Sequence, residues 1–205
     1  YFAPFEGISG YIYRNAYIDI FQEKPEKFFA PFIAVNSQGM SKNREKNDIS
    51  PENNKGLTIV PQILGNNGQS IVTCIKQLEQ MGYEEVNLNI GCPYGTVVSK
   101  KKGAGLLGEA ELLKQVLDEV YTCSPIAVSV KTRIGIESQK EWAEILEIYN
   151  QYPLSELIVH PRVRTDFYKN KPSLEAYRFA LENSKAKVCY NGDIFRVSDY
   201  KNLIE

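Results

Sequence analysis

The stretch EVNLNIGCP (Glu85–Pro93) joins a short apolar strand to a polar turn. Alternating apolar residues over Glu85–Leu88 predict the strand, and Cys92 follows it between a Gly and a Pro, so we expect its thiol on a tight turn that directs it outward. Barrel enzymes place their chemistry at the carboxyl ends of parallel strands. A lone cysteine more often packs as a small hydrophobe, but the polar Asn89 and the nearby lysines favour a functional thiol.

Composition indicates one globular domain that is not broadly basic. The 205 residues include 43% hydrophobic and 24% charged residues, with a net charge of −1. No apolar run is long enough to cross a membrane, and no signal peptide is evident. The cysteines form no CxxC pair, which argues against a disulfide framework or a thiolate metal site and favours a reducing, cytoplasmic compartment. They are Cys74, Cys92, Cys123 and Cys189.

Short apolar runs alternate with helical patterns along the chain, which predicts parallel strands joined by helical crossovers. The predicted strands are Tyr1–Pro4, Phe28–Val35, Leu57–Ile63, Glu85–Asn89, Ile126–Lys131, Leu157–His160 and Ala186–Asn191. The predicted helices are Gly10–Phe21, Asn67–Met81, Glu109–Tyr121, Ser138–Asn150, Ser173–Asn183 and one from Val197 onward. The polar residues 37–56 predict an extended loop with a short helical turn.

Two architectures fit this alternation, a doubly wound open sheet and a closed (β/α)8 barrel of the TIM type. The first turn, Pro4–Gly7, lacks the glycine-rich pattern of a dinucleotide-binding open sheet. Polar residues instead end many different strands, which is typical of a barrel with one convergent site. Because seven strands are predicted where a closed barrel has eight, we expect a barrel truncated after its seventh strand.

Several strand-end residues are candidates for ligand binding. Lys131 follows a run of small and apolar residues and could reach a phosphate or the pyrimidine edge of a flavin, while Gln62 could both donate to and accept from a ring edge. His160 is the only histidine, so a metal site is not expected. In Asn191-Gly192-Asp193 the glycine permits a close backbone approach, although the same residues also form simple turns.

Two basic clusters could contact nucleic acid or could be ordinary solvated faces. One is the run Lys100, Lys101 and Lys102. The other gathers Arg162, Arg164, Lys169 and Lys171 around Asp166.

Six motifs, in order along nearly the whole chain, together resemble the tRNA-dihydrouridine synthases. The Asn89–Pro93 motif with its downstream glycine-rich run is the specific one. The motifs are Ala3–Ile8, Pro61-Gln62, Asn89–Pro93 with Gly103–Leu107, Val130–Arg133, His160–Arg162 and Asn191–Asp193.

This resemblance implies an FMN-dependent barrel that reduces the C5–C6 double bond of uridines in tRNA, with NADPH as the reductant. It implies that Cys92 protonates C5 and that Asn89 and Arg133 lie near the uridine. The positions that it implies for flavin contacts are Pro4, Phe5, Glu6, Gln62, Lys131, His160, Asn191, Gly192 and Asp193. Residues 1–205 would then be an incomplete catalytic barrel without the family's phosphate loop and C-terminal helical tRNA-binding domain, and Phe5 stands where a Met is usual.

Two other functions remain open at this point. One is a flavin-dependent dehydrogenase of free pyrimidines, of the dihydroorotate or dihydropyrimidine type. The other is an RNA-binding barrel without catalysis, which would be colourless and would not oxidise NADPH. The basic clusters mildly favour a polyanionic substrate over a free pyrimidine.

Overall fold

Parallel strands form the centre of the molecule in a computed structural model that describes residues 1–21 and 24–204. Six strands pair in the order β2-β4-β5-β6-β7-β8, and β1 pairs with β3. Every ladder is parallel. The strands are β1 (Phe28–Phe29), β2 (Ile33–Ala34), β3 (Ile59–Val60), β4 (Gln62–Leu64), β5 (Glu85–Ile90), β6 (Ala127–Arg133), β7 (Leu157–His160) and β8 (Val188–Tyr190).

Two predicted strands are each divided in two. The segment predicted as Phe28–Val35 breaks between β1 and β2, and the one predicted as Leu57–Ile63 breaks between β3 and β4, so those two single-strand predictions were wrong. Pro31 and Pro61 lie at the breaks. Each strand is interrupted there because proline has no N–H to donate to the ladder. The predicted strand Tyr1–Pro4 contributes a single parallel pair, between Phe2 and Phe28.

A helix follows most of the strands along the chain, as the alternating sequence pattern predicted. The helices are α1 (Tyr11–Phe21), α2 (Asn43–Ile49), α3 (Gly68–Gln80), α4 (Gly95–Val98), α5 (Ala110–Cys123), α6 (Trp142–Tyr149), α7 (Leu174–Asn183) and α8 (Val197–Ile204). Short 3₁₀ helices are also present, at Pro51–Asn54, Gly103–Gly108, Gln139–Glu141 and Arg164–Asp166. The predicted helix at Ser138 therefore begins as a 3₁₀ turn, with the expected capping box between Ser138 and Glu141.

The two faces of the sheet differ in chemistry because side chains alternate along each strand. In β6, Val128 and Val130 are buried in the apolar core that packs against the helices. On the opposite face, Ser129 bonds to a polar residue of β5, and Lys131 and Arg133 line a cavity. The core thus lies between sheet and helices, while the other face carries polar side chains toward the strand ends.

The prediction of a TIM-type (β/α) barrel is confirmed as a partial barrel. Successive parallel strands with helical connections curve so that residues from β4, β5, β6 and β7 line one cavity. Among the described residues, no ladder joins β8 to the segment around Phe2. No helix in the described part of the chain has the length and apolar character needed to cross a membrane.

Candidate active site

One cavity at the carboxyl ends of the strands collects most of the predicted site residues, and we call it the strand-end cavity. Eleven of its lining residues belong to motifs singled out from the sequence, and the other four, Pro31, Phe32, Tyr94 and Tyr168, do not. The lining comprises Pro4, Phe5, Glu6, Pro31, Phe32, Gln62, Asn89, Gly91, Cys92, Pro93, Tyr94, Lys131, Arg133, His160 and Tyr168. The cavity volume is about 100 Å³.

Asn89 holds the turn that presents Cys92. Its Oδ1 accepts hydrogen bonds from the backbone N–H of Gly91 (3.1 Å) and of Cys92 (2.9 Å). Its Nδ2 donates to Oε1 of Gln62 at 2.7 Å. An asparagine at the strand end therefore fixes the cysteine turn through backbone groups, without using the thiol.

These bonds begin a chain of amides with a single direction. Because Oδ1 of Asn89 accepts from two backbone donors, its amino group must face Gln62, whose Nε2 in turn donates to Oδ1 of Asn87 at 2.8 Å. Nδ2 of Asn87 donates to Oγ of Ser129 (3.0 Å), and that hydroxyl donates to the carbonyl of Val86 (3.2 Å). The backbone at both ends therefore determines how the Gln62 amide is turned toward the cavity.

We expect Asn87→Leu to destabilise the fold by about 2–6 kcal/mol, because two buried polar groups lose their partner at about 1–3 kcal/mol each. Urea denaturation measures this loss. Asn202→Leu is the matched control, since Asn202 is exposed on α8. A loss as small as that of the control would show that the amide chain does not stabilise the site.

The glycine-rich run after the lysines packs directly on the cysteine turn. The backbone N–H of Ala104 donates to the carbonyl of Cys92 at 3.0 Å. Gly103 has a φ of 54°, and a Cβ there would lie 2.9 Å from both the Cβ and the carbonyl oxygen of Cys92. Any side chain at Gly103 would displace Cys92, which explains physically why the two motifs occur together.

The environment of Cys92 keeps its thiol protonated. Burial raises the pKa of Cys92, and the backbone N–H of Tyr94 and the charges of Arg133 and Lys131 offset this only in part. A thiol with a raised pKa is a proton donor at neutral pH rather than a thiolate nucleophile.

Lys131 lies within β6, opposite Asn89 in the ladder, with its side chain in the cavity lining. Burial lowers the pKa of Lys131 to about 8, and the charge of Arg133 contributes to the shift. Lys131 therefore carries its charge at neutral pH but is easily neutralised above it.

Arg133, which the family resemblance places near the uridine, hydrogen-bonds to three backbone carbonyls. The side chain is 1% exposed, and its guanidinium donates to the carbonyls of Gly91 (3.1 Å), Val163 (2.8 Å) and Phe167 (2.7 Å). It also lies 5.5 Å from the ring centroid of Tyr168. Arg133 thus joins the cysteine turn to the segment after β7.

Arg162 is buried, although the charged cluster around it was predicted either to contact nucleic acid or to be an ordinary solvated face. It is 2% exposed, and Nη1 bonds to Nε2 of His160 (3.0 Å) and to Oδ1 of Asp193 (2.9 Å). Asp193, predicted to contact the flavin, therefore pairs with Arg162. Asn191, Gly192 and Asp193 are all outside the lining of the strand-end cavity.

The other predicted basic residues are more exposed than Arg162. Lys100 and Lys101 are exposed, and Lys101 pairs with Glu109 at 3.0 Å. Lys102 is half-buried and donates to the carbonyl of Val35 at 3.4 Å. Arg164 donates to the carbonyl of Pro93, next to Cys92, at 3.2 Å.

Fold and site together define a class, the (β/α)-barrel proteins with one polar cavity at the strand ends. Within it, residues 3–205 match the family described as "Dihydrouridine synthase (Dus)", and the chain belongs to that family.

The curated relatives carry consistent names. A "Probable tRNA-dihydrouridine synthase" of Staphylococcus aureus (strain Mu50) is 26% identical over 202 residues, which cover 94% of this chain and 60% of the relative. A "tRNA-dihydrouridine(20/20a) synthase" of Vibrio vulnificus is 37% identical over 97 residues, covering 47% of this chain and 30% of the relative. The chain thus spans about 60% of the length of the Staphylococcus relatives that it matches.

Proposed function

We propose that the protein reduces the C5–C6 double bond of uridines in tRNA to give dihydrouridine, with bound FMN, NADPH as reductant and Cys92 as the acid. The observation that carries the proposal is the position of the Cys92 thiol, which lines the same cavity as Gln62, Lys131 and His160. Membership of the dihydrouridine synthase family and the names of the relatives support the substrate class.

The chemistry of the donor set fits a flavin ring edge. Gln62 offers an amide, Lys131 a positive charge and His160 a ring nitrogen, while Pro4 and Phe5 add apolar wall. The volume of about 100 Å³ lies below the roughly 300–1,000 Å³ of ordinary ligand pockets. Gln62, Lys131 and His160 would therefore hold only one edge of a flavin. FMN, when bound, supplies the hydride that C6 of the uridine receives.

Cys92 supplies the proton in this proposal. Because burial raises its pKa, the thiol keeps its proton at neutral pH and can give it to C5 when that carbon gains electron density. Asn89 holds the turn through the N–H groups of Gly91 and Cys92, so the thiol stays available for transfer.

Basic residues beside the cysteine turn would contact the tRNA backbone. Arg164 contacts the turn at the carbonyl of Pro93, and Lys100 and Lys101 are exposed in the segment that follows it in the chain. The net charge of −1 confines phosphate attraction to such local clusters. Asn191 and Gly192 stay predicted flavin contacts beyond the cavity.

We expect FMN affinity to fall about tenfold as pH rises from neutrality to well above 8. Lys131 is charged below its pKa of about 8 and neutral above it, and only the charged form attracts the electron-rich flavin edge. The flavin phosphate, with a second pKa of about 6, is already ionised over this range. Binding raises the pKa of Lys131, so the midpoint in the complex lies above 8. Fluorescence titration at each pH measures the affinity.

Lys131→Arg is the matched control, since arginine keeps its charge across this range. Its affinity should change little with pH, while Lys131→Met should bind weakly throughout. If both variants bind FMN with the same affinity and the same pH dependence as the wild type, Lys131 does not belong to the flavin site.

A further inference from the structure

His160, Arg162 and Asp193 form a hydrogen-bonded row that begins in the lining of the strand-end cavity. His160 and Arg162 are buried, and Asp193 is half-buried. Nη1 of Arg162 lies 3.0 Å from Nε2 of His160 and 2.9 Å from Oδ1 of Asp193. Nη2 binds the second carboxylate oxygen of Asp193, and Nε donates to the carbonyl of Asn170. Bonds on three sides fix the guanidinium plane, so its position against the imidazole is fixed too.

The guanidinium determines which imidazole nitrogen carries a proton. Arginine has N–H donors and no acceptor, so a hydrogen bond between Nη1 of Arg162 and Nε2 of His160 requires Nε2 to accept. An imidazolium, or the tautomer with a proton on Nε2, would place two N–H groups against each other. His160 is therefore neutral, with its proton on Nδ1.

The surroundings of His160 also favour the neutral form of its ring. Lys131 and Arg133 face it from β6 and Arg162 from its own segment, while the Tyr168 ring lies 6.0 Å away. Asp193 pairs with Arg162. Burial, followed by the three positive charges, lowers the pKa of His160 to about 2. The ring stays neutral throughout the pH range in which a free histidine titrates.

We propose that Arg162, oriented by Asp193, is a positioning residue that holds His160 as the Nδ1–H tautomer and so makes its ring a hydrogen-bond donor to the ligand of the strand-end cavity. The ring lines that cavity, and Nδ1 makes no hydrogen bond with any of the described residues. The identity of the ligand, a flavin acceptor atom, rests on the proposed function; the tautomer rests on the Arg162 geometry.

The tautomer is measurable because the chain contains one histidine. Long-range ¹H–¹⁵N spectra of histidine-labelled protein, prepared without a histidine tag, distinguish protonated from unprotonated ring nitrogens, and His160→Gln assigns the signals. We expect protonated Nδ1 and unprotonated Nε2, unchanged between about pH 5 and about pH 8. A proton on Nε2, or an imidazolium anywhere in that range, would overturn the proposal from the wild-type spectrum alone.

Variants then test the role of Arg162. Arg162→Met should let the tautomers mix, Arg162→Lys should restore unprotonated Nε2, and Asp193→Asn should give an intermediate result. Arg178→Met is the control, because Arg178 is exposed on α7. Wild-type nitrogen signals in folded Arg162→Met would contradict the positioning role.

Flavin titration separates this inference from the proposed function. FMN should bind about five- to tenfold more weakly to Arg162→Met than to the wild type or Arg162→Lys, the effect of one lost hydrogen bond. If tautomers mix but FMN affinity is unchanged, the donor role of His160 is wrong. If the wild type binds no flavin but shows the Nδ1–H tautomer, the proposed function fails and the role of Arg162 in setting the tautomer stands.

Discussion

Replacing Cys92 by Ala should lower the rate of uridine reduction by about 10²–10⁴-fold, the usual contribution of a general acid. Flavin content and the rate of flavin reduction by NADPH should stay at wild-type values. The physical reason is that Asn89 and Ala104 hold the turn through the backbone of residue 92, so the loss of the thiol leaves the turn in place. Single-turnover assays with undermodified tRNA measure the reduction directly.

Cys123→Ala is the matched control for Cys92→Ala, because Cys123 is an exposed cysteine at the end of α5. It should retain the wild-type rate. Cys92→Ser should remain slow, since a serine hydroxyl is a far weaker acid than a thiol. A wild-type rate in Cys92→Ala would show that another group protonates C5.

Arg133→Met should lower the free energy of unfolding by roughly 3–5 kcal/mol. The side chain keeps its length and apolar stem but loses the charged donors to the carbonyls of Gly91, Val163 and Phe167. Each buried carbonyl that loses its donor costs about 1–3 kcal/mol, so three of them account for a loss of at least about 3 kcal/mol. Urea denaturation measures the change, and loss of FMN should accompany it because the cysteine turn loses one of its attachments.

Arg133→Lys should recover little of this stability, because a single ammonium cannot reproduce the planar set of donors that spans three carbonyls. Arg178→Met, at an exposed position, should change stability by less than about 0.5 kcal/mol. If Arg133→Met behaves like Arg178→Met, the guanidinium does not join the two segments.

The sequence was sufficient to predict the strand-end motifs and the fold class. Asn89, Lys131 and His160 each follow an apolar run at a predicted carboxyl end, and parallel topology brings such ends together whatever the loops do. The cavity accordingly contains all three, with Gln62 and Cys92. Their chemical roles as acid and flavin contacts stay predictions.

Other parts depended on contacts between distant segments. Arg162 lies in a run of charged residues, which usually indicates a solvated face, yet its pairing with Asp193 across 31 positions buries it. Tyr168 and Phe32 line the cavity without any chemical signal in the sequence. The division of the predicted strand Phe28–Val35 into β1 and β2, in contrast, could have been predicted from Pro31 alone.

Uridine reduction by this protein is tested most directly by an anaerobic single turnover of purified protein with NADPH and undermodified tRNA, in which flavin absorbance and dihydrouridine are followed together. We expect a yellow protein that NADPH bleaches, one dihydrouridine formed for each flavin reoxidised by tRNA, and no reoxidation by free uracil or orotate. Colourless protein that binds tRNA, or flavin reoxidised by free pyrimidines but not by tRNA, would contradict the proposed function.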